Sequence, residues 1–153
     1  AVMMAGMIRQ LDMPERIFGN PVDEEVARFV GVETILAGEV TSVEDGLVSV
    51  QIDGQQMDIV GSAEIGDHVL VGIRPQDIVL SKSEMGPSSM RNTLRGRVRR
   101  LIPLGPSVRV IIDGGAPVVA YVTHRSCEDM ELGEGVQVMV SFKATAAHLI
   151  RKG

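Results

Sequence analysis

The chain has 153 residues, 44% of them hydrophobic but only 3% aromatic, and a formal net charge of −5. That length holds one compact domain or two small ones, and the core must be built from Val, Ile, Leu and Met. The single cysteine, Cys127, excludes an intramolecular disulfide and a multi-cysteine metal site and fits a reducing compartment; no run approaches the ~18 apolar residues of a membrane span.

Charge is divided unevenly. Up to Lys82 there are 5 Lys/Arg against 14 Asp/Glu; from Ser83 onward there are 10 against 6. Two regions of opposite sign argue for two modules, with an anionic partner on the second. The stretch Ser88 to Gly96 lies at this boundary, after the loop-like Glu84-Met85-Gly86-Pro87, and reads as a hinge between them.

The start, Ala1 to Ile8, is apolar but lacks the charged region of a signal peptide, and it reads as a terminal strand of something longer. Pro14 to Phe18 has the pattern of a one-turn helix with Pro at its first position, stopped by Gly19-Asn20-Pro21. Asp23 to Val30 predicts a second short helix, with acidic residues in its first turn and Gly31 past its end.

From Leu36 the period changes to two. Strands are predicted at Leu36–Val40, Leu47–Ile52, Met57–Val60, Val69–Ile73 and Ile78–Leu80, separated by Asp45-Gly46, Asp53-Gly54 and Gly66-Asp67. Short strands at this spacing predict a small β barrel. The second half repeats the pattern: Leu94–Val98 matches Leu36–Val40, Val108–Gly114 matches Val48–Gly54, and Gly133–Val138 matches Gly66–Val71. Two tandem copies of one β module follow. The second copy also carries Arg125 to Gly133, which reads as one helical turn ended by glycine.

No P-loop and no Gly-x-Ser-x-Gly elbow is present, and His68, His124 and His148 are scattered without a helical partner, so catalysis and metal binding are not supported. Arg95, Arg97 and Arg99 alternate and share one strand face, solvated or turned to a partner. A nucleic-acid groove would also want stacking aromatics, and the second half has only Tyr121 and Phe142. Lys143-Ala144-Thr145 follows a strong strand pattern, and Ser89-x-Arg91-Asn92 offers the same kinds of donor in another loop. Amides, hydroxyls and cations suit a tetrahedral dianion, which accepts hydrogen bonds and donates none. An ordinary loop and a strand-end lysine is the plainer reading of the same residues.

Ser89-Met90-Arg91-Asn92-Thr93-Leu94-Arg95-Gly96, with Val119 to Ser126 and Phe142-Lys143-Ala144-Thr145-Ala146, resembles the Mop-type molybdate/tungstate-binding domain. Gly72-Ile73-Arg74-Pro75-Gln76-Asp77 resembles a signature of the transport-associated OB-like domain of ABC importer ATPase subunits, and residues 6 to 31 look like the segment joining it to the ATPase domain. The resemblance implies a mainly β fold of two tandem OB-like barrels behind a short helical segment. It divides the chain into a helical linker (1–33), a structural first module (34–83) and an oxyanion-binding second module (88–153). It also implies a cytoplasmic regulatory region at the inner membrane face. This region would be a homodimer attached to an ATPase domain and, through it, to membrane permease subunits. Molybdate or tungstate is the implied ligand, and its binding would feed back to inhibit transport. Carried over by position, Ser89, Arg91 and the Met90 amide would contact the anion from one side, beside Asn92. Lys143, Ala144 and Thr145 would contact it from another, with Thr123 and Ser126 completing the shell. Met90 stands where alanine is usual and Thr145 where serine is frequent. A non-sensing dimerisation spacer, a sulfate importer's domain and an OB-like nucleic-acid binder are the alternatives.

Overall fold

Thr34, Leu36 and Val40 turn inward while Ala37, Glu39 and Thr41 turn out, an alternation that only an extended strand with one buried face satisfies. The computed structural model describes residues 2–4, 7–10, 31–83 and 88–151. Both predicted N-terminal helices lie outside the described residues. The strand expected at the chain's start is present as β1 (Val2–Met4), paired antiparallel with β2 (Met7–Gln10).

The first repeat supplies β3 (Thr34–Glu44), β4 (Leu47–Ile52), β5 (Gln55–Val60), β6 (His68–Ile73), a 3-10 turn (Pro75–Asp77) and β7 (Val79–Ser81). The second supplies β8 (Asn92–Leu104), β9 (Ser107–Asp113), β10 (Pro117–Thr123), helix α1 (His124–Asp129), β11 (Gln137–Phe142) and β12 (His148–Arg151). Asp45-Gly46 and Asp53-Gly54 make the two-residue hairpin turns, each with positive φ at both residues, the conformation that matches strand twist.

Two five-stranded antiparallel sheets result, in the orders β12-β6-β3-β4-β5 and β10-β9-β8-β11-β7. Each takes four strands from one repeat and its fifth from the other. β7 pairs with β11, and β12 pairs with β6. The repeats have exchanged their last strands.

The ladders correct the repeat alignment. Val40 pairs with Val50 as Val98 pairs with Ile112, so Ile112, not Val110, is the counterpart of Val50. The Gly66 N–H donates to the Val40 carbonyl (2.8 Å) as the Gly135 N–H donates to that of Val98 (2.7 Å), so Gly135, not Gly133, corresponds to Gly66. A slip of two residues leaves every side chain on the same face, so the hydrophobic pattern is blind to it. A bulge falls at the same place in both copies, between Val40 and Ser42 and between Val98 and Arg100.

The core is aliphatic, as the composition requires, with Phe142 the largest fully buried side chain among the described residues. One continuous cluster runs from Leu36 and Val50 to Ile112 and Val140, across both sheets. Gly38 and Gly96 are counterparts at its tightest points. A Cβ on Gly38 would lie 2.5 Å from Val50 Cγ1, and one on Gly96 would lie 2.5 Å from Ile112 Cγ2. Glycine here permits close strand approach.

Two buried polar residues join the repeats. At the head of β8, the Asn92 side chain accepts from the Asp58 N–H (2.7 Å) and donates to the Asp58 carbonyl (2.8 Å). At the head of β3, the Thr34 hydroxyl accepts from the Val119 N–H (2.9 Å). Asp58 on β5 and Val119 on β10 are counterparts, so each repeat's first strand clamps the other's third.

Candidate functional site

The last ladder pair between β8 and β11 is Asn92 with Phe142. Arg91 and Lys143 are the next residues outward on those two neighbouring strands, so the two predicted loops adjoin within one chain. The first repeat supplies the third wall. The Val60 N–H at the end of β5 donates to the Ala144 carbonyl (3.0 Å), and the Lys143 turn is closed by the Ala146 N–H donating to the Lys143 carbonyl (3.0 Å).

Ser89, Arg91, Lys143 and Thr145 are exposed, Met90 is half-buried and Ala144 is buried. The Met90 N–H donates to Ser88 Oγ (3.1 Å), an exposed hydroxyl that a stronger acceptor would displace. The side-chain amide of Asn92 is committed to the Asp58 backbone, so its work is to hold the seam.

Asp58 is the site residue that sequence reading missed. Its Oδ2 lies 3.4 Å from Arg91 Nη2, with the two side chains 18% and 56% exposed. Its Oδ1 accepts from Ser49 Oγ (2.9 Å) and Gln56 Nε2 (3.2 Å). Partial burial alone would raise this carboxyl's pKa. The hydrogen bonds from Ser49, Gln56 and Arg91, with the charge of Arg91, outweigh it and hold the group below its ordinary value. Asp58 looks like one more acid of an acidic half, and nothing local in the sequence marks it.

Thr123 and Ser126 are not brought to this point. Thr123 pairs with Ser107, and Ser107 with Leu104 at the far end of β8 from Asn92. Thr123 Oγ1 caps α1, accepting from the Ser126 N–H (3.0 Å) and donating to Ser126 Oγ (3.0 Å). Arg91 and Lys143 therefore lie at one end of the second sheet, and Thr123 and Ser126 at the other.

The first repeat's equivalent position is built differently. Glu33 is the counterpart of Arg91. Its Oε1 accepts from Arg109 Nη2 and its Oε2 from the Tyr121 hydroxyl, each at 2.6 Å. The hydrogen bond to Glu33, partial burial and the same carboxylate's charge together raise the Tyr121 pKa. Arg74 stands where the second repeat has Lys143. Arg109 thus belongs to an internal ion pair. Among the described residues, no three His, Cys, Asp or Glu side chains are placed to hold a metal ion. Among the same residues, no helix is long and apolar enough to cross a membrane.

Two β modules of the same strand order that exchange their last strands, with two loops meeting at their seam, define a mainly β, OB-like architecture. Residues 88–149 match the TOBE domain. The chain as a whole is homologous to the C-terminal region of molybdate/tungstate import ATP-binding proteins. It is 38% identical over 146 residues to WtpC of Pyrococcus abyssi, covering 95% of this chain and 40% of that protein. It is 32% identical over 149 residues to WtpC of Pyrococcus horikoshii, covering 97% of this chain and 41% of that protein. A spermidine/putrescine import ATP-binding protein, PotA of Trichormus variabilis, is 31% identical over 117 residues, covering 73% of this chain and 30% of its own length. The chain thus spans well under half of the curated relatives it matches. Among solved structures, the cytoplasmic molybdate-binding protein ModG, with molybdate bound, superposes with a TM-score of 0.74 at 18% identity, over 79% of this chain and 97% of that one. At that identity the likeness is one of fold.

Proposed function

We propose that this chain is the cytoplasmic regulatory part of an importer ATP-binding subunit, and that it binds molybdate or tungstate and feeds back on transport. The observation that carries the reading is the meeting of Arg91 with the Lys143-Ala144-Thr145 turn at one end of the β8–β11 ladder. Two exposed cations with hydroxyls beside them suit an anion that only accepts hydrogen bonds. The names of the WtpC relatives and of the ModG neighbour supply the anion's identity.

Ser89, the Met90 amide, Arg91, Lys143, the Ala144 backbone and Thr145 form one side of the site on this reading. Thr123 and Ser126 lie at the other end of the same sheet, so they complete the shell only from a second copy. A homodimer with interfacial sites follows, and anion binding would favour one relative arrangement of the attached ATPase domains and so slow import when the anion is plentiful.

Calorimetric titration with tungstate tests this. The wild-type chain is expected to bind, and Lys143→Ala to bind roughly 10–100-fold more weakly, since losing a charge-assisted contact costs about 1.5–3 kcal/mol and each 1.4 kcal/mol is tenfold. A wild-type chain with neither heat nor a thermal shift would end the proposal. A second reading, a dimerising spacer without a ligand, is favoured by the PotA relatives, whose named substrates are cations. It predicts a dimer indifferent to tungstate and to sulfate alike.

A further inference from the structure

The first repeat is an internal control for the second, because counterpart positions do the same structural work with different side chains. Asp58 and Val119 each present a backbone N–H to the clamping residue of the other repeat, at 2.7 Å and 2.9 Å. The clamp uses the backbone and does not need a carboxylate. The surroundings of the two positions differ just as consistently. Ser49 pairs with Asp58 where Ile111 pairs with Val119, and Pro117 stands where the first repeat has Gln56. Arg91 faces Asp58 where its counterpart Glu33 turns to Arg109 and Tyr121.

A complete polar set of Ser49, Gln56, Asp58 and Arg91 is therefore present at one seam and absent from the other. Both versions of the seam form, so the fold does not require the acid. Placing a carboxylate at a mostly covered position costs desolvation, and Ser49 and Gln56 are there to offset it. What this set does is hold a fixed negative charge 3.4 Å from the one arginine of the proposed anion site.

We propose that Asp58 is a specificity-determining residue of that site: it occupies Arg91 as an internal anion, and an incoming oxyanion must take the guanidinium from it. This rests on the reading of Arg91 and Lys143 as anion ligands. Two consequences follow. Affinity is set lower than the cations alone would give, because the ion pair with Asp58 must be given up before Arg91 can turn to the dianion. Weakly accepting or poorly fitting anions fail to displace Asp58, so the threshold discriminates among oxyanions as well as weakening all of them. Because Asp58 belongs to the first repeat and Arg91 to the second, exchanging the internal anion for an external one also changes the charge pairing across the seam.

The test is titration of the full chain with tungstate, then with sulfate, for wild type, Asp58→Asn and Asp58→Val. Thermal unfolding of each accompanies the titrations. The valine variant copies Val119 and so has an internal precedent for folding. Both variants are expected to bind tungstate about tenfold more tightly than wild type, with sulfate gaining more than tungstate. In an Arg91→Ala background, Asp58→Asn should change nothing, because the effect passes through Arg91. If wild type binds and neither Asp58 variant gains affinity, the inference is overturned while the anion site stands. The same holds if the gain survives Arg91→Ala. If wild type does not bind but Asp58→Val does, the competition is supported and the sensing function of the natural chain is not. If none of them binds, both fall.

Discussion

Replacing Asn92 by alanine should separate what holds this molecule together from what binds its ligand. Asn92 is 1% exposed, and its amide makes two hydrogen bonds to the Asp58 backbone at 2.7 and 2.8 Å. Alanine leaves an N–H and a carbonyl facing a small void at the seam, and each unsatisfied group costs about 1–3 kcal/mol. The expected loss is about 2–6 kcal/mol, a large share of the stability of an ordinary domain. Thr34→Val at the other seam removes one such bond, from the Val119 N–H at 2.9 Å, and should cost about 1–3 kcal/mol. Ser89→Ala, at an exposed position of the proposed site, should stay within about 0.5 kcal/mol of wild type. Urea unfolding measures all three, with an unchanged slope required for the midpoints to be compared. If Asn92→Ala falls within about 1 kcal/mol of wild type, or Ser89→Ala proves as costly, then Asn92 is not the clamp described here.

Two further outcomes are expected. Gly96→Ala places a Cβ 2.5 Å from Ile112 Cγ2 and 3.1 Å from the Asp113 carbonyl, and should lower stability by about 1–3 kcal/mol, whereas Gly133→Ala meets nothing within 4 Å and should be near neutral; equal unfolding midpoints for the two would refute the close-approach account. His148 sits at the head of β12, where burial, and the charge of Arg74 against that of Asp77, place its pKa below 6.5. The unfolded chain therefore takes up this proton first, so the stability contribution is complete above pH 6.5 and is lost as pH falls toward the folded-state value. Urea midpoints between pH 7.5 and 5.5 should fall less steeply in His148→Gln than in wild type, and identical slopes would remove His148 as the cause.

Strands were legible because alternation is a local property. Leu36–Val40 declares one buried face, and the structure extends it by only a few residues at each end. Repetition was legible for the same reason. Three things were not. The two-residue errors in the repeat alignment preserved every inward and outward position, so no hydrophobic pattern could expose them. The exchange of β7 and β12 is a choice of edge partner, which local alternation does not specify. Asp58, Ser49 and Gln56 are ordinary solvated residues in the sequence and become a charged cluster only where the head of β8 covers them. The donor residues of the two loops were legible as a set, while Thr123, Ser126 and the Met90 amide came only from the resemblance. The proximity of the two loops follows from the ladder that sets Asn92 opposite Phe142, and no spacing of Arg91 and Lys143 along the chain implies it.

The exchanged strands also limit where ligand binding can have an effect. A ligand moves an equilibrium only by its differential affinity for two arrangements. Inside one chain, the alternative arrangements are costly. Separating the repeats would strip β12 from β6 and β7 from β11, and would break the clamps at Thr34 and Asn92 together. The core continues across both sheets, so the repeats form one cooperative unit. On the proposed reading, then, the two states an oxyanion distinguishes differ in how copies of the chain meet. The placement of Thr123 and Ser126 at the opposite end of the sheet from Arg91 and Lys143 supports the same view, since one rigid chain cannot bring all four to one anion. A monomer locked by dilution should accordingly retain only the weaker half-site.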